Sequence, residues 1–131
     1  MEETAMARRH KVAVYGTLMA GERNGQWAAD ALDRRPCILR GTLYDTGRGY
    51  PAFVPDANGS NVRAECLTVT QAMLERLDGL EGYPWLFSHR RITVTFEDGK
   101  TAEAITYVMN GLPDGSTVIA SGDWRASRRG H

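Results

Sequence analysis

Residues 77–84 read LDGLEGYP, and they set Glu81 where a carboxylate is hard to keep charged. A helix running through Leu77 and Leu80 should end there, because Gly82 is the usual residue beyond a helix C-terminus and Pro84 prevents resumption. A helix C-terminus carries partial negative charge and an apolar surround disfavours ionisation, so both effects raise the pKa. Such a carboxylate suits a general base that later returns its proton as a general acid. The competing reading is structural: Glu81 pairs with Arg90 or Arg91, or reaches water past Gly82.

A second stretch, VAVYGTL at residues 12–18, reads as an apolar strand running into a glycine turn. Glycine frees the backbone there, so successive N–H groups can form a nest for an anionic or carbonyl oxygen. A strand ended by Gly16 is also an ordinary feature of any β-rich domain. On a helical wheel of residues 73–81, Met73, Leu74, Leu77 and Leu80 share one face and Glu75 lies opposite. Glu81 falls at the margin of the apolar face, directed toward the core.

Other constellations carry less. Gly47-Arg48-Gly49 is followed by no helix start that would make a phosphate loop. His10, His89 and His131 are scattered without a carboxylate pattern suited to a metal, so no metal site is expected. There is no Gly-x-Ser-x-Gly elbow. Cys37 and Cys66 sit in apolar surroundings, without metal-ligand spacing, and read as buried small hydrophobes. Acid–base chemistry is what remains.

The elements that must position these residues follow from composition and periodicity. The 131 residues suit one domain, and 42% hydrophobic with 24% charged residues is the range of folded globular chains. Sixteen basic residues balance sixteen acidic ones, which gives no overall field for nucleic acid or an anionic membrane. With no apolar run for a signal peptide and no membrane-length segment, a cytoplasmic, reducing location is expected. Residues 1–10 read as a frayed polar leader, 11–124 as the domain and 125–131 as a frayed basic tail.

Within the domain, residues 11–18 form the first strand, and residues 26–35 suit a helical turn or two closed by Pro36. Strands are expected at 37–44, 50–54, 61–69, 87–96 and 101–109, with turns at 45–49, 56–60 and 97–100. Thr70 should cap a helix over residues 72–80. Residues 110–115 form a loop, and 116–131 hold at most one short turn. The order argues for an α+β fold with a mostly antiparallel sheet that can curl into a small barrel, and against repeated parallel βαβ units.

VYGTL at 14–18, GTLYDTGRGYPA at 41–52, VRAE at 62–65, LDGLEGYP at 77–84, Tyr107 in AITYV and SGDW at 121–124 occur in a recognisable order. Over residues 12–124 the chain resembles the gamma-glutamylcyclotransferase-like family, nearest its small gamma-glutamylamine cyclotransferase-type members. The resemblance implies a small mixed β-barrel with helices packed around it. It implies a reaction in which the α-amino group of a γ-glutamyl unit attacks its own side-chain carbonyl, releasing 5-oxoproline and a free amine. Glu81 would be the proton acceptor, and Tyr15, Gly16, Thr17 and Leu18 would hold the small-molecule substrate through backbone groups, with no metal or organic cofactor. The nucleophile is then already tethered within the substrate, and no serine or cysteine is needed.

Tyr50, Tyr83, Trp85 and Tyr107 are candidate pocket walls or plain core, and Glu65 either lines the cavity or serves structure. The sequence departs from the family where Tyr-x-Arg is expected after LDxxEGxP: Phe87 and His89 stand there, with Arg90 one place later. Asn24-Gly25 replaces Asn-His, and Ala64-Glu65 replaces Gly-Glu. These changes bear on the leaving group more than on ring closure. A binding module that kept the cavity without turnover is the competing function, and a protein adaptor ranks last.

Overall fold

The computed structural model describes residues 8–129. The expected leader lies outside it through residue 7, and the expected basic tail lies outside it from residue 130. The described residues form β1 (Arg9–Val14), a 3-10 turn (Gly25–Ala28), β2 (Asp33–Asp45), β3 (Pro51–Pro55), β4 (Ser60–Thr70), α1 (Gln71–Leu80), β5 (Phe87–Phe96), β6 (Thr101–Met109), β7 (Thr117–Val118) and α2 (Trp124–Arg129).

Five strands close on themselves in the order β2-β4-β1-β6-β5 and back to β2. Only β1 and β6 run parallel in this circuit, the other neighbours being antiparallel. The fold is thus the α+β, mostly antiparallel barrel that the sequence predicts. Closure removes the sheet edges from five strands. Val12, Leu39, Phe53, Val62, Leu67, Val69 and Val94 are fully buried, each such side chain contributing roughly 2 kcal/mol relative to exposure.

β2 organises the rest. Its first part pairs with β4 from Asp33↔Thr68 to Gly41↔Ser60, its far end pairs with β3 from Gly41↔Pro55 to Asp45↔Pro51, and β5 joins it only at Cys37↔Phe96 and Ile38↔Thr95. β3 has β2 as its one strand partner and lies at the rim, as its flanking prolines suggest.

The expected helical turns at 26–35 are largely wrong: one 3-10 turn spans Gly25–Ala28, and Asp33, Arg34 and Arg35 already belong to β2. Pairing with Thr68, Leu67 and Cys66 of β4 overrides the local helical tendency. Pro36 does not end that segment, because β5 pairing begins only at Cys37 and the missing N–H is tolerated as at a sheet edge. β1 starts two residues before Lys11 and stops at Val14, leaving residues 15–18 as a turn.

The C-terminal stretch is also more ordered than a single turn. β7 pairs with the end of β2. In α2 the Asp123 carboxylate accepts the Ala126 amide at 3.2 Å, and Trp124 is buried. A capping aspartate followed by a buried indole holds a helix that periodicity over six residues cannot reveal. No helix among the described residues is long and apolar enough to cross a membrane, which says nothing of strands.

Candidate active site

α1 begins as expected, with the Thr70 hydroxyl accepting the Met73 amide at 3.2 Å. Met73, Leu74 and Leu77 face the core, while Leu80 is 36% exposed, so the wheel places it too deep. At the other end the Glu81 amide donates to the Leu77 carbonyl at 2.9 Å and the Tyr83 amide to the Asp78 carbonyl at 2.9 Å. Gly82 adopts φ +67°, the left-handed turn that ends the helix. Glu81 is thereby fixed as the helix cap, with its side chain half-buried.

Burial pushes the Glu81 carboxyl up to about 7. Among the described residues no ion pair engages it, and Arg90 and Arg91 are exposed instead of turned toward it. A paired Glu81 does not occur among the described residues.

Gly16 follows β1 and lies against Pro51; a Cβ there would stand 2.5 Å from Pro51 Cγ and 2.7 Å from Cδ. The close approach requires glycine. Asn24, which also lines the cleft, pins the loop: its amide donates to the Thr17 carbonyl at 2.8 Å and its Nδ2 to Thr17 Oγ1 at 3.1 Å. Among the described residues the amides of Thr17 and Leu18 donate to no protein acceptor. That is the condition a backbone nest requires.

These segments meet in one cleft of about 180 Å³. Glu81, Tyr15, Gly16, Thr17, Leu18, Tyr50 and Tyr107 all line it. Tyr50 packs edge-on against Phe87, ring centroids 6.2 Å apart. Tyr83 and Trp85 do not line the cleft; Trp85 is 87% exposed, and Tyr83 stacks on His89 at 4.0 Å. Sequence reasoning missed Arg23, Leu80 and Leu86 as lining residues.

A network behind the cleft was also missed. Asp78 Oδ1 accepts the Tyr107 hydroxyl at 2.6 Å and lies 2.7 Å from His89 Nε2. The Tyr15 hydroxyl donates to the Tyr107 carbonyl at 2.5 Å. Burial, then the Glu81 charge, raises the Tyr15 phenol; burial, then Asp78, raises that of Tyr107. Both phenols stay protonated and serve as fixed donors. His89 thus fills the departure from Tyr-x-Arg by bonding to Asp78. Only the pairing His89↔Tyr107 across the hairpin brings it there.

Glu65 lines a different pocket, beside Arg125, Cys37 and Phe96. Its Oε1 receives Arg34 at 2.5 Å and the Ala20 amide at 2.9 Å, and its Oε2 receives Arg125 at 2.9 Å. Of the two roles open to it, structural satisfaction is the one observed. Both cysteines are free and buried, and burial pushes Cys37 up to about 12, which leaves it an unreactive thiol. Among the described residues no three His, Cys, Asp or Glu side chains converge as metal ligands do.

Residues 12–126 match the family model described as gamma-glutamyl cyclotransferase, AIG2-like. The gamma-L-glutamyl-butirosin B gamma-glutamyl cyclotransferase of Niallia circulans is 35% identical over 125 residues, which cover 90% of this chain and 77% of that protein. A protein of Halalkalibacterium halodurans, provisionally named a gamma-glutamylcyclotransferase, is 38% identical over 96 residues, covering 69% of this chain and 83% of its own length. Among solved structures, YkqA from Bacillus subtilis superposes with a TM-score of 0.75 at 22% identity over 95% of this chain and 44% of YkqA. An AIG2-like protein from Mus musculus does so with 0.68 at 22% identity, over 79% and 78%. These two similarities speak to the fold.

Proposed function

The chain belongs to the gamma-glutamyl cyclotransferase, AIG2-like family, an enzyme of that type, and from this premise we propose that it cyclises a γ-glutamyl amide to 5-oxoproline with Glu81 as the proton carrier. One observation carries the reading: Glu81, held by burial near a pKa of about 7, shares a cleft with the loop of residues 15–18.

The steps follow from that placement. The Glu81 carboxylate takes a proton from the substrate's α-ammonium, and the freed lone pair attacks the side-chain amide carbon. A C–N bond forms, closing a five-membered ring, and the carbonyl oxygen becomes an oxyanion facing the Thr17 and Leu18 amides. The oxyanion collapses, the original amide C–N bond breaks as Glu81 returns the proton to the departing nitrogen, and the ring nitrogen gives up its remaining extra proton to the released amine, which leaves as its ammonium. Atoms balance without water or a cofactor. A base titrating near neutrality serves both transfers, since neither direction is far uphill.

Incubating the purified protein with a panel of γ-glutamyl amino acids and γ-glutamylamines, and assaying 5-oxoproline, tests the proposal. Product is expected, and Glu81→Gln is expected to abolish it. A folded protein that turns over nothing in the panel refutes the catalytic reading; a ligand-induced rise in Tm without product would leave a binding module in its place.

A further inference from the structure

We infer that Arg23 receives a carboxylate of the γ-glutamyl substrate, an inference that rests on the reaction proposed above. Among the residues lining the cleft only two are charged, Glu81 and Arg23. Every γ-glutamyl substrate brings at least one carboxylate, on the α-carbon, and a conjugate with an amino acid brings a second on the leaving group. A carboxylate entering beside Glu81 would meet a like charge in a partly desolvated site, which is unfavourable unless a cation faces it. Arg23 is the cation the cleft provides.

Its surroundings leave it available. Arg34 and Arg125 are committed to Glu65, whereas the Arg23 side chain is exposed and no ion pair engages it among the described residues. Its guanidinium lies over Gly49, where a Cβ would come within 3.0 Å of Nη1. Gly49 sits at φ +90°, a backbone state that any side chain would strain, so the space beneath the guanidinium is kept open. Arg23 is held beside the substrate loop as well. The Glu22 amide donates to the Met19 carbonyl at 3.0 Å, the Asn24 amide to the Thr17 carbonyl at 2.8 Å and the Gly25 amide to the Glu22 carbonyl at 2.9 Å. A planar fork of donors on a fixed backbone suits the two oxygens of a carboxylate. The substrate class that follows is an anionic γ-glutamyl compound, held between Arg23 and the backbone nest while Glu81 faces its amine.

The test compares γ-glutamylalanine with γ-glutamylethylamine, which differ by the carboxylate on the leaving group. For Arg23→Ala, KM is expected to rise about tenfold or more while kcat changes less than about threefold, as loss of a charge-assisted contact made alike in ground and transition states requires. Arg23→Lys should recover most of the loss, and Arg23→Gln supplies the same comparison if the alanine variant folds poorly. An equal rise for both substrates assigns the contact to the α-carboxylate; a rise for γ-glutamylalanine alone assigns it to the leaving group. Unchanged KM for both substrates, or a lysine variant no better than alanine, overturns the inference. Inactive wild-type protein would defeat the proposed reaction and this inference with it, whereas active wild type beside an unaltered variant defeats the inference alone.

Discussion

Glu65 and Glu81 are two glutamates withdrawn from water in different pockets, and they titrate in opposite directions. Burial acts on both. At Glu65 it pushes the carboxyl up, but the Ala20 amide, Arg125 and Arg34 together more than reverse it, leaving the group below the ordinary carboxylate range. At Glu81 burial acts alone and the group rises to about 7. The number of donors meeting the charged form, not the depth of the side chain, separates a carboxylate that holds the fold together from one that can exchange a proton. Asp78, behind the same cleft as Glu81, has Tyr107 and His89 as partners.

The widest separation should appear in turnover. Glu81→Gln is expected to lower kcat by about 10²- to 10⁴-fold, the range of general acid–base catalysis, whereas Glu65→Gln should leave activity per folded molecule within about threefold. The reverse outcome would invert the roles. Stability is expected to order the pair the other way. Glu65→Gln leaves Arg34 without its counter-charge and Arg125 with only Glu22, 3.8 Å away, and should cost about 2–3 kcal/mol, a fall of roughly 10 °C in Tm by calorimetry. A Tm within about 2 °C of wild type would show that the three-group cluster contributes little.

Titration sharpens the contrast through its sign. The folded pKa of Glu81 lies above the ordinary 4.5, so the folded state retains a proton that the unfolded chain has released, and stability falls as pH rises from about 4.5 to about 7. Glu81→Gln removes that slope, and in urea melts its advantage over wild type should grow by roughly 2 kcal/mol across the window. Glu65 acts oppositely: its stabilisation is full above the ordinary carboxylate pKa and is lost as pH falls through its lowered folded value. In the same window kcat/KM should climb with a limb near 7, because only the carboxylate form of Glu81 accepts the first proton. The smallest effect is expected at Asp78, where Tyr107→Phe removes one of its two partners and should cost about 1 kcal/mol.

How much of this was legible in the chain depended on how local each cause is. A helix cap, a glycine stop and a glycine turn are decided within a few residues, so residues 12–18 and 77–84 mark their turn and helix end directly. The barrel was legible from strand order, although the two register pairs that close β2 on β5 and the parallel pairing of β1 with β6 were not. The neighbours of Glu65 come from Arg34 and Arg125, 31 and 60 residues away, and no periodicity joins them. Asp78 has no local signal of its role, which follows from the β5–β6 register that sets His89 opposite Tyr107. In α2 the signal was present, an aspartate before an indole, and the surrounding arginines obscured it.

The contact between Gly16 and Pro51 joins two mechanically unlike halves of the cleft. Val14, Phe87 and Tyr107 belong to strands of the closed circuit, whereas Pro51 opens β3, which has β2 as its single strand neighbour. Amide exchange should therefore be slow on the side carrying Tyr107 and faster along β3, since a strand bonded on one flank opens at lower cost. A cleft with one stiff wall and one compliant wall can change its width at the compliant side. On the proposed reaction, variation in substrate bulk would be absorbed at β3 and the 45–50 turn.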